Sequence, residues 1–155
     1  MSATYIKIQT TARQFANSYK DAFSVKDASV LSSALTPDCK RHVLPSSFLA
    51  SQGMEAKPIS NAEFEAIIRN EFPAFKSCEA SIVRTSVDET QKSASLIVEQ
   101  KCVLTDGREY ALDFAYFLDL TDDCDRIKAV TQFMDTTKFV ETRVCIREIL
   151  SAKQA

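Results

Sequence analysis

Apolar residues recur at three- and four-residue steps early in the chain. Ala12, Phe15, Ala16, Tyr19 and Phe23 form one stripe, which predicts an amphipathic helix of about 18 residues. Asp27 can cap a second, short helix that carries Val30, Leu31, Ala34 and Leu35. Pro37 disfavours helix at Thr36, so the chain leaves extended through DCKRHVLPSS (38–47), where Pro45 ends the strand. From Ser46 to Ile59 the text is irregular and contains Gly53 and Pro58; a loop of this length suits a lid or binding loop. Ser60 and Glu63 make a capping box for a third helix, striped by Phe64, Ile67, Ile68 and Phe72 and stopped by Pro73.

Beyond this point the period changes to 2. Residues 79–88, 93–104, 109–120 and 126–135 predict four consecutive strands, and Asp106-Gly107 is a hairpin signal between the second and third. Thr136 or Thr137 can cap a last helix bearing Phe139, Val140, Ile146, Ile149 and Leu150. The order is helix, helix, short strand, helix, four antiparallel strands, helix. It predicts an α+β arrangement in which a curved antiparallel sheet packs on N-terminal helices and encloses a cavity. Neither repeats nor linkers interrupt it, so residues 1–155 are expected to form a single domain.

Composition narrows the class. At 155 residues, 45% hydrophobic and 26% charged, the chain has the balance of a soluble globular protein. A formal net charge of −2 with no basic stripe argues against nucleic acid as a partner. No apolar run approaches a membrane span, and the first residues lack a signal-peptide layout, so a cytoplasmic location is expected. The five cysteines are odd in number and form no CxxC pair, and a single histidine cannot complete a zinc set. With neither a P-loop nor a GxGxxG motif, no metal or cofactor is expected.

Candidate chemistry lies where polar residues interrupt the apolar faces. On 109–120, Tyr110, Leu112, Phe114, Tyr116, Leu118 and Leu120 share the core face. The opposite face, Ala111, Asp113, Ala115, Phe117 and Asp119, is apolar enough between its acids to suggest a homodimer. Gln100 interrupts the apolar face of 93–104. On the last strand Ile127, Ala129 and Phe133 share parity with Thr131 and Asp135. If these faces point inward, Gln100, Thr131, Tyr110, Tyr116 and Asp135 converge on a pocket for a small hydrophobic substrate. Asp135 then reads either as a helix cap or as a desolvated carboxylate able to move protons. Parity leaves the histidine open, since Cys39, Arg41 and Val43 face one way and Lys40, His42 and Leu44 the other. An inward His42 beside Asp135 would make an acid–base pair.

Three stretches carry a resemblance: Asp38, Cys39, Leu44, Pro45 and Ser47; Asn61, Glu63 and Phe64; and the ending Gln132-Phe133-Met134-Asp135. In these the chain resembles the SnoaL-like branch of the NTF2-like superfamily, and within it the small fungal proteins of polyketide and meroterpenoid pathways. The resemblance implies a cone-shaped fold, a homodimer, and cofactor-free isomerisation, cyclisation or dehydration of a polycyclic intermediate. It also assigns Asp135 as a catalytic group, with His42 or Arg41 as its partner. The chain departs from that pattern at Arg41, where some relatives carry histidine, and at Gln132, where an acid is expected. A non-catalytic ligand carrier or dimeric interaction module is the alternative, because the fold supports both.

Overall fold

The computed structural model describes residues 1–155. Helix α1 (Ala3–Val25) is longer than its apolar stripe because Ser2 caps it, accepting from the Tyr5 amide at 3.0 Å. A 3-10 turn at Ala28–Ser32, capped by Asp27, leads into strand β1 (Leu35–Leu44). The irregular stretch contains a short helix α2 (Ser46–Ser51), followed by the two-residue strand β2 (Ile59–Ser60). Both bonds of the capping box at Ser60 and Glu63 are made at the start of α3 (Asn61–Glu71), and a 3-10 turn at Phe72–Ala74 follows it. Then come β3 (Phe75–Asp88), β4 (Ser93–Leu104), β5 (Glu109–Leu120), β6 (Ile127–Met134) and α4 (Thr136–Gln154).

The six strands form one sheet in the order β2-β1-β6-β5-β4-β3. Every neighbour pair is antiparallel except β1 with β6, which run parallel. Alternation on β4 and β5 follows the sequence pattern: Ala94, Leu96, Val98, Gln100, Cys102 and Leu104 are buried, as are Leu112, Phe114, Tyr116, Leu118 and Leu120. These faces pack against α1, whose Ile8, Ala12, Phe15, Ala16 and Tyr19 belong to the same core cluster.

The last strand departs from the predicted parity. Leu120 pairs with Ile127, but Asp119 pairs with Ala129, so Lys128 is an extra residue at a bulge. A one-residue shift moves every later side chain to the other face. Val130, Gln132 and Met134 therefore turn inward, whereas Ala129, Thr131 and Phe133 share the outer face. Gln132 is buried and Phe133 is 40% exposed. The cap of α4 also differs from expectation, because Asp135 fills that position and neither Thr136 nor Thr137 does. Its carboxylate accepts from the Lys138 amide at 3.0 Å.

Candidate active site

Between the concave sheet face, α3 and α4 lies an apolar cavity of about 400 Å³. Its floor includes one face of α3, where Phe64, Ile67, Ile68 and Glu71 recur at helical spacing. Leu49, Met54, Glu55 and Lys57 come from the stretch between β1 and β2, so the irregular loop is part of the wall. Val43 and Gln132 come from β1 and β6, Gln100 and Cys102 from β4, and Tyr110 and Tyr116 from β5. No three His, Cys, Asp or Glu side chains converge as metal ligands do.

Polar groups gather at two places in this apolar space. The first is built around Arg41, which is 3% exposed. Parity on β1 turns Cys39, Arg41 and Val43 inward and leaves His42 on the exposed outer face. The Arg41 Nη1 donates to the Tyr19 hydroxyl at 2.8 Å and to Gln132 Oε1 at 2.7 Å. Its guanidinium carbon lies 3.8 Å from the Phe64 ring centroid and 5.6 Å from that of Phe15. Nη2 has no hydrogen-bond partner, and Arg41 enters no salt bridge. Arg41 stands just behind the lining, while its contacts Tyr19, Phe64 and Gln132 face the cavity.

Tyr116 completes this group. Its ring packs on Phe15 at 5.1 Å and Phe114 at 5.8 Å, and its buried hydroxyl has no hydrogen-bond partner. Burial, with help from Tyr19, pushes the phenol well above its ordinary range, and Arg41 opposes this only in part. The hydroxyl is therefore a protonated donor without an acceptor. An unpaired buried donor and an unpaired buried cation each cost stability unless a ligand satisfies them.

The second place lies at the other end of α3. Glu71 and Arg143 form an ion pair, with side chains 14% and 32% exposed, and both line the cavity. Burial raises the Glu71 carboxyl above the usual range and Arg143 pulls it back. Beside them a row crosses three strands: Cys78 on β3 pairs with Cys102 on β4, which pairs with Tyr110 on β5. Tyr110 is held protonated by burial first, then by the neighbouring Cys102. The Cys78 thiol is pushed up, first by its hydrogen bond with Cys102 and then by burial.

Gln100, Tyr110 and Tyr116 thus meet in one cavity, with Arg41 behind its wall. Thr131, His42 and Asp135 do not meet there. His42 pairs in register with Thr131 on the outer face, and Asp135 is occupied as the α4 cap. The residues that sequence reasoning missed are Tyr19, Glu71 and Arg143. Tyr19 sits inside an unbroken core stripe and gives no signal. Glu71 does give one, because it falls seven residues after Phe64 on the apolar face of α3. Arg143 likewise falls between Phe139 and Ile146 on the apolar face of α4.

No family model matches the chain, and neither does any curated protein sequence. Solved structures do. BvnE pinacolase from Penicillium brevicompactum superposes with a TM-score of 0.78 at 14% identity, covering 94% of this chain and 94% of that one. PrhC from Penicillium brasilianum gives 0.69 at 19% identity, over 98% and 93%. An NTF2-like protein of unknown function from Burkholderia pseudomallei gives 0.64 at 18% identity, over 91% and 97%. At these identities the likeness is one of fold. The chain has the NTF2-like fold, an α+β cone with a cavity on the concave face of its sheet.

Proposed function

We propose that the protein is a cofactor-free isomerase or cyclase acting on a hydrophobic polycyclic natural-product intermediate of fungal secondary metabolism. One observation carries this reading: a buried guanidinium with no carboxylate partner stands behind two phenols at one end of an apolar cavity. Arg41 donates to the Tyr19 oxygen, which makes the Tyr19 O–H a stronger donor toward the cavity. Together Tyr19 and Tyr116 hold a ligand oxygen, and the Arg41 charge favours electron density accumulating on it. Gln100 offers a further polar contact along the wall. That a protein named as a pinacolase shares this fold supports the enzyme reading. No helix is long and apolar enough to cross a membrane, and the reading includes a cytoplasmic homodimer joined through the outer face of β5.

A ligand carrier is the second reading, favoured by the number of apolar residues in the lining. Both are tested with equilenin, a tetracyclic naphthol ketone whose ionised form has its own absorption band. The proposed site predicts binding with an increased naphtholate fraction, and about a tenfold weaker affinity in Arg41→Met. Binding that ignores ionisation and the Arg41 substitution would favour the carrier. Enzymatic action is scored separately, as conversion of polycyclic enones to products of equal or water-diminished mass.

A further inference from the structure

Isomerisation needs a group that takes a proton from carbon and returns it, and the Arg41 end of the cavity holds no carboxylate. We infer that Glu71 is that catalytic carboxylate, with Arg143 as its positioning residue, and that the substrate is an extended polycycle with oxygen functions at both ends. This inference rests on the isomerase reading above.

The geometry carries it. Phe64 and Glu71 lie two turns apart on the cavity face of α3, roughly 10 Å by helical rise. Arg41 is stacked at the Phe64 end, so the two polar groups occupy opposite ends of the same apolar floor. Between them Ile67 and Ile68 offer only apolar surface, which suits the body of a fused-ring ligand. Glu55, the other carboxylate of the lining, is exposed to water in the stretch between α2 and β2. Glu71 is therefore the carboxylate with both access to ligand and shelter from solvent.

Its surroundings suit proton transfer. Arg143 from α4 faces it and keeps the carboxylate form accessible, and the Tyr110 phenol approaches from β5. The thiols of Cys78 and Cys102 stand in the same row as Tyr110, and their mutual hydrogen bond shifts Cys78 up and Cys102 down. Lys26 donates to the Phe72 and Phe75 carbonyls and Lys153 to that of Pro73, so neither ammonium is paired with Glu71. In the step, the Glu71 carboxylate removes a hydrogen α to a ligand carbonyl. The C–H electron pair becomes the C=C bond of an enolate, whose oxygen accepts from the Tyr110 hydroxyl. The neutral Glu71 then returns the proton to the same carbon or to another one conjugated with it. No oxidant, metal or second substrate enters the balance.

Equilenin also serves as the probe here, because its ketone lies at the opposite end from its naphthol. In D2O, wild-type protein is expected to incorporate deuterium α to that ketone, followed by NMR. Glu71→Gln is expected to bind equilenin normally and to exchange roughly 100-fold more slowly. If that variant fails to fold with Arg143 left unpaired, the double variant Glu71→Gln/Arg143→Met removes both charges and should behave in the same way. Arg143→Met alone removes the group that lowers the Glu71 pKa, so the rising limb of the exchange–pH profile should move to higher pH. Normal binding without exchange in the wild type, or undiminished exchange in Glu71→Gln, overturns the role of Glu71 and leaves the Arg41 site standing. Absence of equilenin binding overturns the isomerase reading together with this one.

Discussion

The Arg41 guanidinium carbon lies 3.8 Å from the centroid of the Phe64 ring, so a buried cation is met by an aromatic face and by no carboxylate. Folding carries this desolvation cost, which the bonds to Tyr19 and Gln132 and the Phe64 face offset only in part. A stability consequence follows at once. Arg41→Met removes the charge but leaves Gln132 Oε1 without its donor, so the single variant should have nearly wild-type stability. Arg41→Met/Gln132→Leu removes both polar partners and should be more stable by about 1–3 kcal/mol. Urea unfolding of the three proteins measures it, and a destabilised double variant would contradict the account.

Asp135 is expected to matter to folding through the start of α4. Asp135→Ala should cost about 1 kcal/mol, and Asp135→Asn much less, because asparagine caps as well as aspartate. Thermal melts give the ordering, while equilenin affinity should be the same in both variants.

On the outer face the Phe117 and Phe133 rings are 48% and 40% exposed and pack edge to face at 6.3 Å. Burial of this pair in a homodimer predicts that sedimentation will show a dimer for the wild type and a monomer for Phe117→Lys. A monomeric wild type at micromolar concentration would remove the proposed interface.

Glu63 sets a pH response. Its carboxylate accepts from the Ser60 amide at 2.7 Å, and that bond holds its pKa below the usual value. A depressed folded-state pKa contributes stability above the unfolded value of about 4.3 and loses it as pH falls through the folded one. Glu63→Gln keeps a neutral cap, so the melting temperatures of wild type and variant should differ at pH 7 and converge on acidification.

Thiol chemistry separates the five cysteines. Cys39, Cys78, Cys102 and Cys124 are buried, and burial pushes the Cys39 thiol up to about 11. Cys145 is the partly exposed one, so iodoacetamide should label it first, as read by peptide mass spectrometry. Equally fast labelling of Cys78 would mean that the β3–β4 wall opens readily.

Much of this was legible before any coordinates. Strands 93–104 and 109–120 stand where alternation put them, because both bury one face and use a tight hairpin. Gln100, Tyr110 and Tyr116 followed from the same alternation. The position of Thr131 was not legible, since a bulge at Lys128 leaves no mark in a period-2 pattern. For His42 the two faces of β1 are equally mixed, and only pairing with β6 decides its direction. Tyr19 looked like core because it is core along most of its length, with only its hydroxyl turned to chemistry. Glu71 was concealed by its neighbour Phe72, which completes the apolar stripe just as well.

The bulge at Lys128 gives residues 129–135 a second latent meaning. Deleting that one residue would restore the alternation that the flanking sequence spells out, exchanging interior for exterior along the strand. Thr131 and Phe133 would then look into the cavity, and Gln132 and Met134 would look out. One codon thus selects between two lining sets written in the same seven residues. The lining of the cavity and the outer face of the sheet would change together through a shift of frame, with no side chain substituted.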